Sequence, residues 1–422
     1  MSASAVSKPL TLNQDAAIAP AVEAASAKRE LRVLQVFSVL SVGGAETWLM
    51  ALLKYFREAE NNLPVKVTCD ILLTGGEPSV FDEEAKALGA RLFYVPFSRR
   101  HPVRFIRQFR RLLKAGHYDV VHDHQDYIAG VHFAMGLGRL PRVRVAHVHS
   151  ALLHRSRYAN DRLRRMVTLA GKHMLKRLAT HVLGTSCTTI AEYGFDSSVF
   201  PGVEVVNCGF DAGRFRGDYV KEHESICHKF GWPQSARIIL FVGRLDGEVM
   251  ISGRVVSQKN VEFALEIAKE CFARNPMARL LVVGSGEERR KELQEQVNHW
   301  RFTEHVQFVE GPADVAKLMI GSDALLCTSP AEGLGMVVVE AQAAGLPVLA
   351  SDATPRECVV VPELVEFLPL TDPDYWAKQT LQVLGRARPN LSECNRAVKR
   401  SAFSIDNSAR SLAAIYGERG NA

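Results

Sequence analysis

Short apolar runs alternate with amphipathic, helix-like stretches along almost the whole chain, and this alternation restricts the possible folds more than any other feature. Two of these runs, residues 31–38 and 238–242, are apolar at most positions, which is typical of strands buried on both faces. Strands of this kind separated by helices predict parallel sheets with helices packed on both sides. The predicted strands are residues 31–38, 65–73, 92–95, 120–121, 143–148, 181–184, 203–207, 238–242, 280–283, 306–309, 324–327, 347–350 and 365–368.

The alternation breaks between residues 207 and 236 and then starts again, which indicates a domain boundary. A chain of 422 residues also exceeds one ordinary domain of about 100–200 residues. We therefore predict two consecutive doubly wound α/β domains, residues 31–207 and 208–390. Residues 1–30 are interrupted by Pro20 and Glu23 and are predicted to form a disordered cytoplasmic tail. Residues 391–422 form a last helical stretch that has no strand to pair with.

Positive charge is concentrated in one part of the chain. The formal net charge is +6, yet residues 99–177 contain 18 basic and 4 acidic side chains. Within this region, residues 99–116 (Arg99 to Gly116) combine arginines with apolar residues at helical spacing. That pattern is typical both of a helix lying on an anionic membrane and of a domain helix with a solvated basic face, and the sequence leaves both open. No recognisable nucleic-acid module accompanies the charge, so nucleic acid is not an expected partner.

The remaining composition excludes several other classes. No run of about 18 apolar residues occurs, so no membrane-spanning helix is predicted. The eight cysteines stand singly, without a C-x-x-C pair, so structural zinc and dithiol chemistry are not expected. We predict buried, reduced thiols, as in a cytosolic protein.

The segment after the predicted strand 324–327 has the most unusual chemistry of the chain. It reads SPAEGLGM (residues 329–336) and leads into an apolar helix that contains Glu340. Glycines let a backbone approach a ligand closely, and a helix N-terminus offers free N–H groups to an anion. The plainer alternative is that Glu332 caps the helix and Glu340 forms a salt bridge.

A pair of cations accompanies the first strand of the second domain. Arg244 follows Gly243 at the end of strand 238–242, and Lys259 lies at the start of the next predicted helix. Cations near a helix N-terminus suit a diphosphate, although surface cations are also common at such positions.

Together these residues resemble the retaining glycosyltransferases of family 4. Glu332 and Glu340 are similar to the E-x7-E signature of that family, and VGR (242–244) with QKN (258–260) resembles its phosphate-binding pair. In the first domain, GGAET (43–47) and VHDHQDY (121–127) resemble the exopolysaccharide and capsule branch. The resemblance covers residues 33–385. It implies a GT-B fold: two facing Rossmann-like domains with the active site in the cleft between them, and a last helix that crosses back to the first domain.

The resemblance also implies roles for individual residues. Arg244 and Lys259 would neutralise the leaving diphosphate, and Glu340 would hydrogen-bond the ribose. His149 would lie beside the donor sugar. The other donor-binding residues that it implies are Gly311, Val315, Glu332, Gly333, Leu334, Gly335 and Met336. The residues implied for the acceptor or the cleft are Gly43, Gly44, His122 and His124.

The chain departs from the family pattern in one place. Residues 246–256 place Lys259 farther from Arg244 than is usual, and this insertion contains a second arginine, Arg254, after Gly253. We assign the phosphate to Arg244 because it ends a clear strand.

Polar clusters in the chain also raise the question of a metal. His147 and His149 alternate on a strand, so both side chains are expected on one side of the sheet. A metal held by His122, Asp123, His124 and Asp126 is an alternative to acceptor contacts or loop hydrogen bonds, but we predict neither a metal nor a cofactor. Asp372-Pro373-Asp374 is formally a D-x-D motif, and a capping role for Asp372 is predicted instead.

The sequence thus predicts a retaining glycosyltransferase that needs no metal. It would move a sugar from a nucleotide-sugar, with a UDP-sugar expected, to a lipid-linked or polysaccharide acceptor in surface polysaccharide synthesis. Two alternatives remain: a GT-B relative that hydrolyses or epimerises a nucleotide-sugar, and a non-catalytic scaffold that binds one. We expect a cytoplasmic protein that associates peripherally with the inner face of the plasma membrane.

Overall fold

The protein folds around two separate parallel sheets. The computed structural model describes residues 28–58, 63–98, 101–151, 162–198, 200–251, 254–309 and 313–418. The predicted tail up to residue 27, and Gly253 and Gly311, lie outside these ranges. Each predicted strand appears within two residues of its expected bounds.

The first sheet has seven parallel strands in the order β3-β2-β1-β4-β5-β6-β7. Its strands are β1 (Glu30–Phe37), β2 (Lys66–Leu73), β3 (Arg91–Tyr94), β4 (Val120–Asp123), β5 (Val143–Val148), β6 (His181–Gly184) and β7 (Val203–Val205). The helices of this half are α1 (Gly44–Glu58), α2 (Asp82–Ala87), α3 (Pro102–Gly116), α4 (Ile128–Gly136), α5 (Arg162–Leu178) and α6 (Cys187–Glu192). The strand order reverses between β1 and β4, and such switch points are where ligands bind in open α/β sheets.

The second half begins with α7 (Tyr219–Phe230) and contains a sheet of six parallel strands in the order β12-β11-β8-β13-β14-β15. These strands are β8 (Arg237–Val242), β11 (Ala278–Val283), β12 (Val306–Val309), β13 (Ala324–Cys327), β14 (Val348–Ser351) and β15 (Val365–Leu368). The helices are α8 (Val261–Arg274), α9 (Glu287–His299), α10 (Val315–Gly321), α11 (Met336–Ala343), α12 (Pro373–Leu384) and α13 (Leu391–Arg400). Here the switch point lies between β8 and β13.

The insertion between Arg244 and Lys259 forms an antiparallel hairpin that the sequence did not predict. Its strands are β9 (Glu248–Ile251) and β10 (Arg254–Ser257), and they form a sheet of their own. Val249 is buried beneath the hairpin, whereas Met250 and Val255 are exposed. The assignment of the phosphate to Arg244 rather than Arg254 remains a prediction.

The chain crosses between the two halves twice, and the crossings run side by side. Phe210 pairs with Ser404 in an isolated parallel bridge, and Gly209 packs so closely on this segment that a Cβ atom would lie 2.6 Å from the Ser404 carbonyl oxygen. The last helix, α14 (Ile405–Gly417), then packs against α1 of the first half.

This arrangement corrects the expected start of the crossing segment at Leu391. Helix α13 stays with the second half, because Val398 is part of its core and Asn395 donates a hydrogen bond to the Ala343 carbonyl of α11. The return to the first half begins only after Arg400.

The basic helix predicted over residues 99–116 is α3, although Arg99 and Arg100 lie outside the described residues. Phe105, Phe109 and Leu113 point into the core of the first half. Its arginines are exposed. The core already buries the apolar side of α3, so only its exposed basic face is left for a membrane to contact. Whether it does so stays a prediction.

Several smaller predictions are also decided. All eight cysteines are unpaired and all but Cys187 are buried. Asp372 caps α12 by accepting a hydrogen bond from the Asp374 N–H, as predicted. No helix in the described part of the chain combines the length and the apolar character needed to cross a membrane.

Candidate active site

The turn after β13 brings the carboxyl ends of the two sheets together. Ser186 and Thr189, which follow β6, both donate hydrogen bonds to the Gly333 carbonyl, at 2.6 and 2.7 Å. A Cβ atom at Gly333 would lie 2.1 Å from the carbonyl oxygen of His149, which follows β5. Glycine is therefore required for this close approach. The motif that the sequence singled out is a contact between the two domains, and it closes one wall of a cleft.

Lys259 and Glu332 form an ion pair within this cleft. The Lys259 Nζ lies 2.6 Å from the Glu332 Oε1, and only 25% and 8% of the two side chains are exposed. Thr328 fixes the backbone beside the lysine by donating to the carbonyls of Lys259 and Asn260. A partly buried carboxylate is stabilised by such a partner, because its charge would otherwise be left without compensation. The resemblance implied that both residues bind the donor, and the structure places them in direct contact.

Arg244 lies at the carboxyl end of β8, next to the same lysine. Its guanidinium donates a hydrogen bond to the Gln258 side chain at 2.9 Å. Gly243 permits the approach, since a Cβ atom there would lie 2.9 Å from the Lys259 Cγ. Two cations therefore meet at the second switch point, where an anionic group would be stabilised.

The glycine turn ends in the N-terminus of α11. Gly335 is the N-cap and has a φ of 87°, a left-handed conformation that favours glycine. Because the N-cap has no side chain, none competes with an anion for the N–H groups of Met336 and Val337, whereas the Val338 N–H donates to the Gly335 carbonyl. Leu334 is buried in the second core, and Met336 packs against the cores of both halves. These two residues hold the turn in place by their side chains.

Glu340 lies one turn into α11 and is partly exposed. Burial raises the pKa of its carboxyl to about 7, and the charge of Arg214 offsets only part of this effect. A carboxylate kept at such an unfavourable position is typical of a functional site.

Glu46 faces the second domain from the first turn of α1. Burial raises the pKa of this carboxyl, and its own backbone hydrogen bond and the charge of Arg244 act in the opposite direction. Gly43 gives the side chain room, since a Cβ atom at that position would lie 2.3 Å from the Glu46 Oε2. Gly44 is exposed and begins α1. Glu46 lies within the GGAET motif, but no pattern in the sequence indicates a role for it.

Four histidines from β4 and β5 form a stacked cluster below the cleft. The rings of His147 and His149 stack with centroids 4.2 Å apart, which agrees with the expectation that they share one side of the sheet. His149 is half-buried, whereas His122, His124 and His147 are buried. His122 has no exposed surface. The expectation that it contacts the acceptor or lines the cleft is therefore wrong, because a strand position alone does not tell how deep a side chain lies.

Three of these histidines lie close enough together to raise the question of a metal ion. His122, His124 and His147 each have one ring nitrogen within 4.8 Å of a ring nitrogen of the other two. Both ring nitrogens of His122 and of His124, however, already have hydrogen-bond partners in the protein. A metal ion here would have to displace these bonds, and the predicted absence of a metal stays a prediction.

Of the two residues expected near the base, Gly311 lies outside the described residues. Val315 begins α10 and packs against the second core, next to the N-cap residue Asp314.

Comparisons with known proteins agree with this geometry. A family model described as Glycosyltransferase Family 4 matches residues 42–214, and one described as Glycosyl transferases group 1 matches residues 236–386. The chain is 28% identical over 405 residues to EpsF of Bacillus subtilis (strain 168), which is named as a glycosyltransferase, and the match covers 91% of this chain and 96% of that protein.

Solved structures share the fold. HepE of Anabaena, crystallised with UDP and glucose, superposes with a TM-score of 0.70 at 17% identity, over 91% of this chain and 98% of HepE. A glycosyltransferase of Rickettsia africae ESF-5 superposes with a TM-score of 0.68 at 16% identity, over 92% and 98% of the two chains. The predicted GT-B fold is confirmed.

The fold and the matching domains define a GT-B glycosyltransferase. The chain carries both domains of the family, one in each half, and it belongs to glycosyltransferase family 4, as the sequence motifs predicted.

Proposed function

We propose that this glycosyltransferase moves a sugar from a UDP-sugar to a lipid-linked or polysaccharide acceptor, with retention of configuration. The observation that carries the proposal is the meeting of Arg244, the Lys259–Glu332 ion pair and the N-terminus of α11 at one switch point. The similarity to HepE, whose structures contain UDP, UDP and glucose, and UDP-glucose, supports UDP as the nucleotide. The similarity to EpsF supports a role in exopolysaccharide synthesis.

The same groups suit the reaction. The bond between the sugar C1 and the β-phosphate oxygen breaks, and the acceptor oxygen bonds to C1 on the same face. The acceptor proton passes to the leaving phosphate oxygen. Arg244, Lys259 and the first N–H groups of α11 stabilise the negative charge that develops on the diphosphate. Glu332 binds the sugar hydroxyls, and Glu340 accepts hydrogen bonds from the ribose.

A screen of nucleotide-sugars by thermal shift identifies the donor, because a bound ligand raises the melting temperature by mass action. Transfer is then assayed with the donor found, using the wild type and the variants Lys259→Ala and Glu332→Ala. We expect each substitution to lower turnover at least 100-fold, the loss typical when a group that stabilises transition-state charge is removed. Unchanged turnover in both variants would refute the assignment.

Two controls separate the alternatives. A hydrolase or epimerase consumes the donor without any acceptor. A scaffold binds UDP tightly and shows no turnover with any acceptor. The proposed transferase requires the acceptor for rapid consumption of the donor.

We also propose that the first domain rests on an anionic membrane surface through electrostatic attraction. The basic face of α3 is exposed, and the nearby helix α5 exposes Met166 and Leu169 among its basic residues. Each basic side chain close to an anionic surface contributes about 1 kcal/mol. We expect vesicles with anionic lipid to co-sediment the protein, and neutral vesicles to leave it in solution.

The matched variants change the net charge equally. Replacing Arg104, Arg107 and Arg111 by glutamate should abolish co-sedimentation, whereas replacing the exposed Lys221, Lys229 and Lys399 of the second half should preserve it. Equal binding by both triple variants would show that α3 is not the contact.

A further inference from the structure

A chain of buried hydrogen bonds connects the last helix to His149. In its first arm, the Tyr416 hydroxyl on α14 lies 2.6 Å from the His122 Nδ1, and the His122 Nε2 lies 3.2 Å from the His147 Nδ1. Tyr416, His122 and His147 are fully buried. The arm therefore runs from α14 to β5, the strand directly before His149.

The second arm starts at Gln35 on β1, which also contacts Tyr416. The Gln35 Nε2 lies 3.3 Å from the Tyr416 hydroxyl, and its Oε1 lies 2.8 Å from the His124 Nε2. The His124 Nδ1 then lies 2.8 Å from the His149 Nε2. The remaining nitrogen of His149, Nδ1, lies 3.6 Å from the Cys208 thiol.

The proton positions along both arms follow from the Gln35 amide. Its NH2 group donates to the Tyr416 hydroxyl, so that hydroxyl donates to the His122 Nδ1. Its carbonyl oxygen accepts from the His124 Nε2–H, so the His124 Nδ1 accepts from the His149 Nε2–H. A neutral imidazole has one donor and one acceptor nitrogen, and each bond therefore fixes the next.

A flipped amide would reverse every bond in both arms, so an independent contact must choose the direction. Cys69 supplies it. The Gln35 Nε2 also lies 3.8 Å from the Cys69 Sγ, so in this orientation both hydrogens of the amide have an acceptor. In the flipped orientation the NH2 group would face a single acceptor, the His124 Nε2, and one buried N–H would be left without a partner.

We propose that Tyr416 and Gln35 are positioning residues that hold His149 as its Nε2–H tautomer, with both ring nitrogens turned into the protein. The ring is then fixed below the cleft, and the His149 backbone is held against Gly333. This inference rests on the proposed donor site, because it concerns how one wall of that site is kept in place.

The alternative tautomer would be costly. If His149 carried its proton on Nδ1, two nitrogen lone pairs would face each other across the 2.8 Å between His149 and His124. The ring would have to move, and the backbone that contacts Gly333 would move with it. Displacements of about 1 Å at reacting groups lower turnover by as much as 100-fold.

The test combines spectroscopy with kinetics. In the wild type labelled with 15N-histidine, long-range 1H–15N correlation spectra should show His149 as the Nε2–H tautomer. In Tyr416→Phe, His122 loses its donor and Gln35 loses an acceptor, so the His149 signal should indicate both tautomers. We expect kcat for the best nucleotide-sugar to fall about tenfold, with KM for that donor changed less than threefold, because its phosphate and ribose contacts lie on the second domain.

Tyr55→Phe is the matched control. The Tyr55 hydroxyl also joins α1 to α14, through a 2.7 Å hydrogen bond to Asp406, but it does not contact the histidines. This variant should keep the wild-type His149 signal and kcat.

Two results would overturn the proposal: an Nδ1–H signal for His149 in the wild type, or a Tyr416→Phe variant with the wild-type signal and kcat. The wild-type spectrum decides even if Tyr416→Phe fails to fold. It also decides independently of catalysis, so a protein that turns over no nucleotide-sugar would refute the proposed function and leave this test intact.

Discussion

Replacing Glu340 by glutamine should stabilise the unliganded protein at pH 8 and at the same time weaken its affinity for UDP. Burial raises the pKa of this carboxyl from 4.5 to about 7. The folded state therefore disfavours the charged form, and glutamine removes the charge with little change of shape. A ribose bound by the carboxylate would lose a charge-assisted hydrogen bond in the variant.

The magnitude follows from linkage. Because the pKa is higher in the folded state, the penalty begins as the pH rises past 4.5 and is complete above about 7. A shift of about 2.5 pKa units corresponds to about 3 kcal/mol. At pH 5 most of this penalty is absent. The difference in the free energy of unfolding between Glu340→Gln and the wild type should therefore grow by about 2 kcal/mol between pH 5 and pH 8.

The assay is thermal unfolding of both proteins from pH 5 to pH 8.5. About 2 kcal/mol corresponds to about 4–8 °C in Tm for a domain of this size. UDP titrations at pH 8 should show affinity about tenfold lower, since about 1.4 kcal/mol is a factor of ten. Glu266→Gln, at an exposed position of α8, is the control and should show no pH-dependent difference. A constant difference in Tm across the pH range would refute the reasoning.

Three further substitutions test the contacts between the two domains and the packing of α14 on the first domain. Gly333→Ala places a Cβ atom against the His149 carbonyl, and steady-state assays should show turnover at least 100-fold lower. Glu357→Gln weakens the cap that Glu357 provides for the N-terminus of α6. It should cost about 1 kcal/mol. Because this contact joins the two halves, its loss should also increase the radius of gyration in X-ray scattering, and unchanged scattering would contradict a role in holding the halves together. Trp48→Phe removes the indole bond to Ser408, and chemical denaturation should show a loss of about 2–3 kcal/mol.

Local patterns predicted the sheets because buried parallel strands are apolar at most positions. The β9–β10 hairpin was not predicted because it lacks this pattern. Its strands are four residues each, and Met250 and Val255 face solvent. Nothing in their composition distinguishes them from a loop.

Residue type and backbone position together indicated Glu332 and Lys259, which the structure places in contact, and their role in donor binding stays a prediction. Depth was not predictable in this way. His122 and His149 are both polar residues near strand ends, yet one is fully buried and the other is half-buried. Gln35 and Tyr416 are 381 positions apart, and no local pattern links them. Only the packing of α14 onto the first sheet brings them together.

The return of α14 to the first domain also affects how the protein is made. This helix contributes Leu412, Ala413 and Tyr416 to a core that otherwise comes from the first half of the chain. The last strand of that half ends at Val205, and α14 begins at Ile405. At about 5–20 residues per second, a ribosome needs about 10–40 s to synthesise what lies between. During that interval the apolar face of α1 around Trp48 lacks its cover, so the nascent first domain remains exposed to aggregation and to chaperones until α14 has been synthesised.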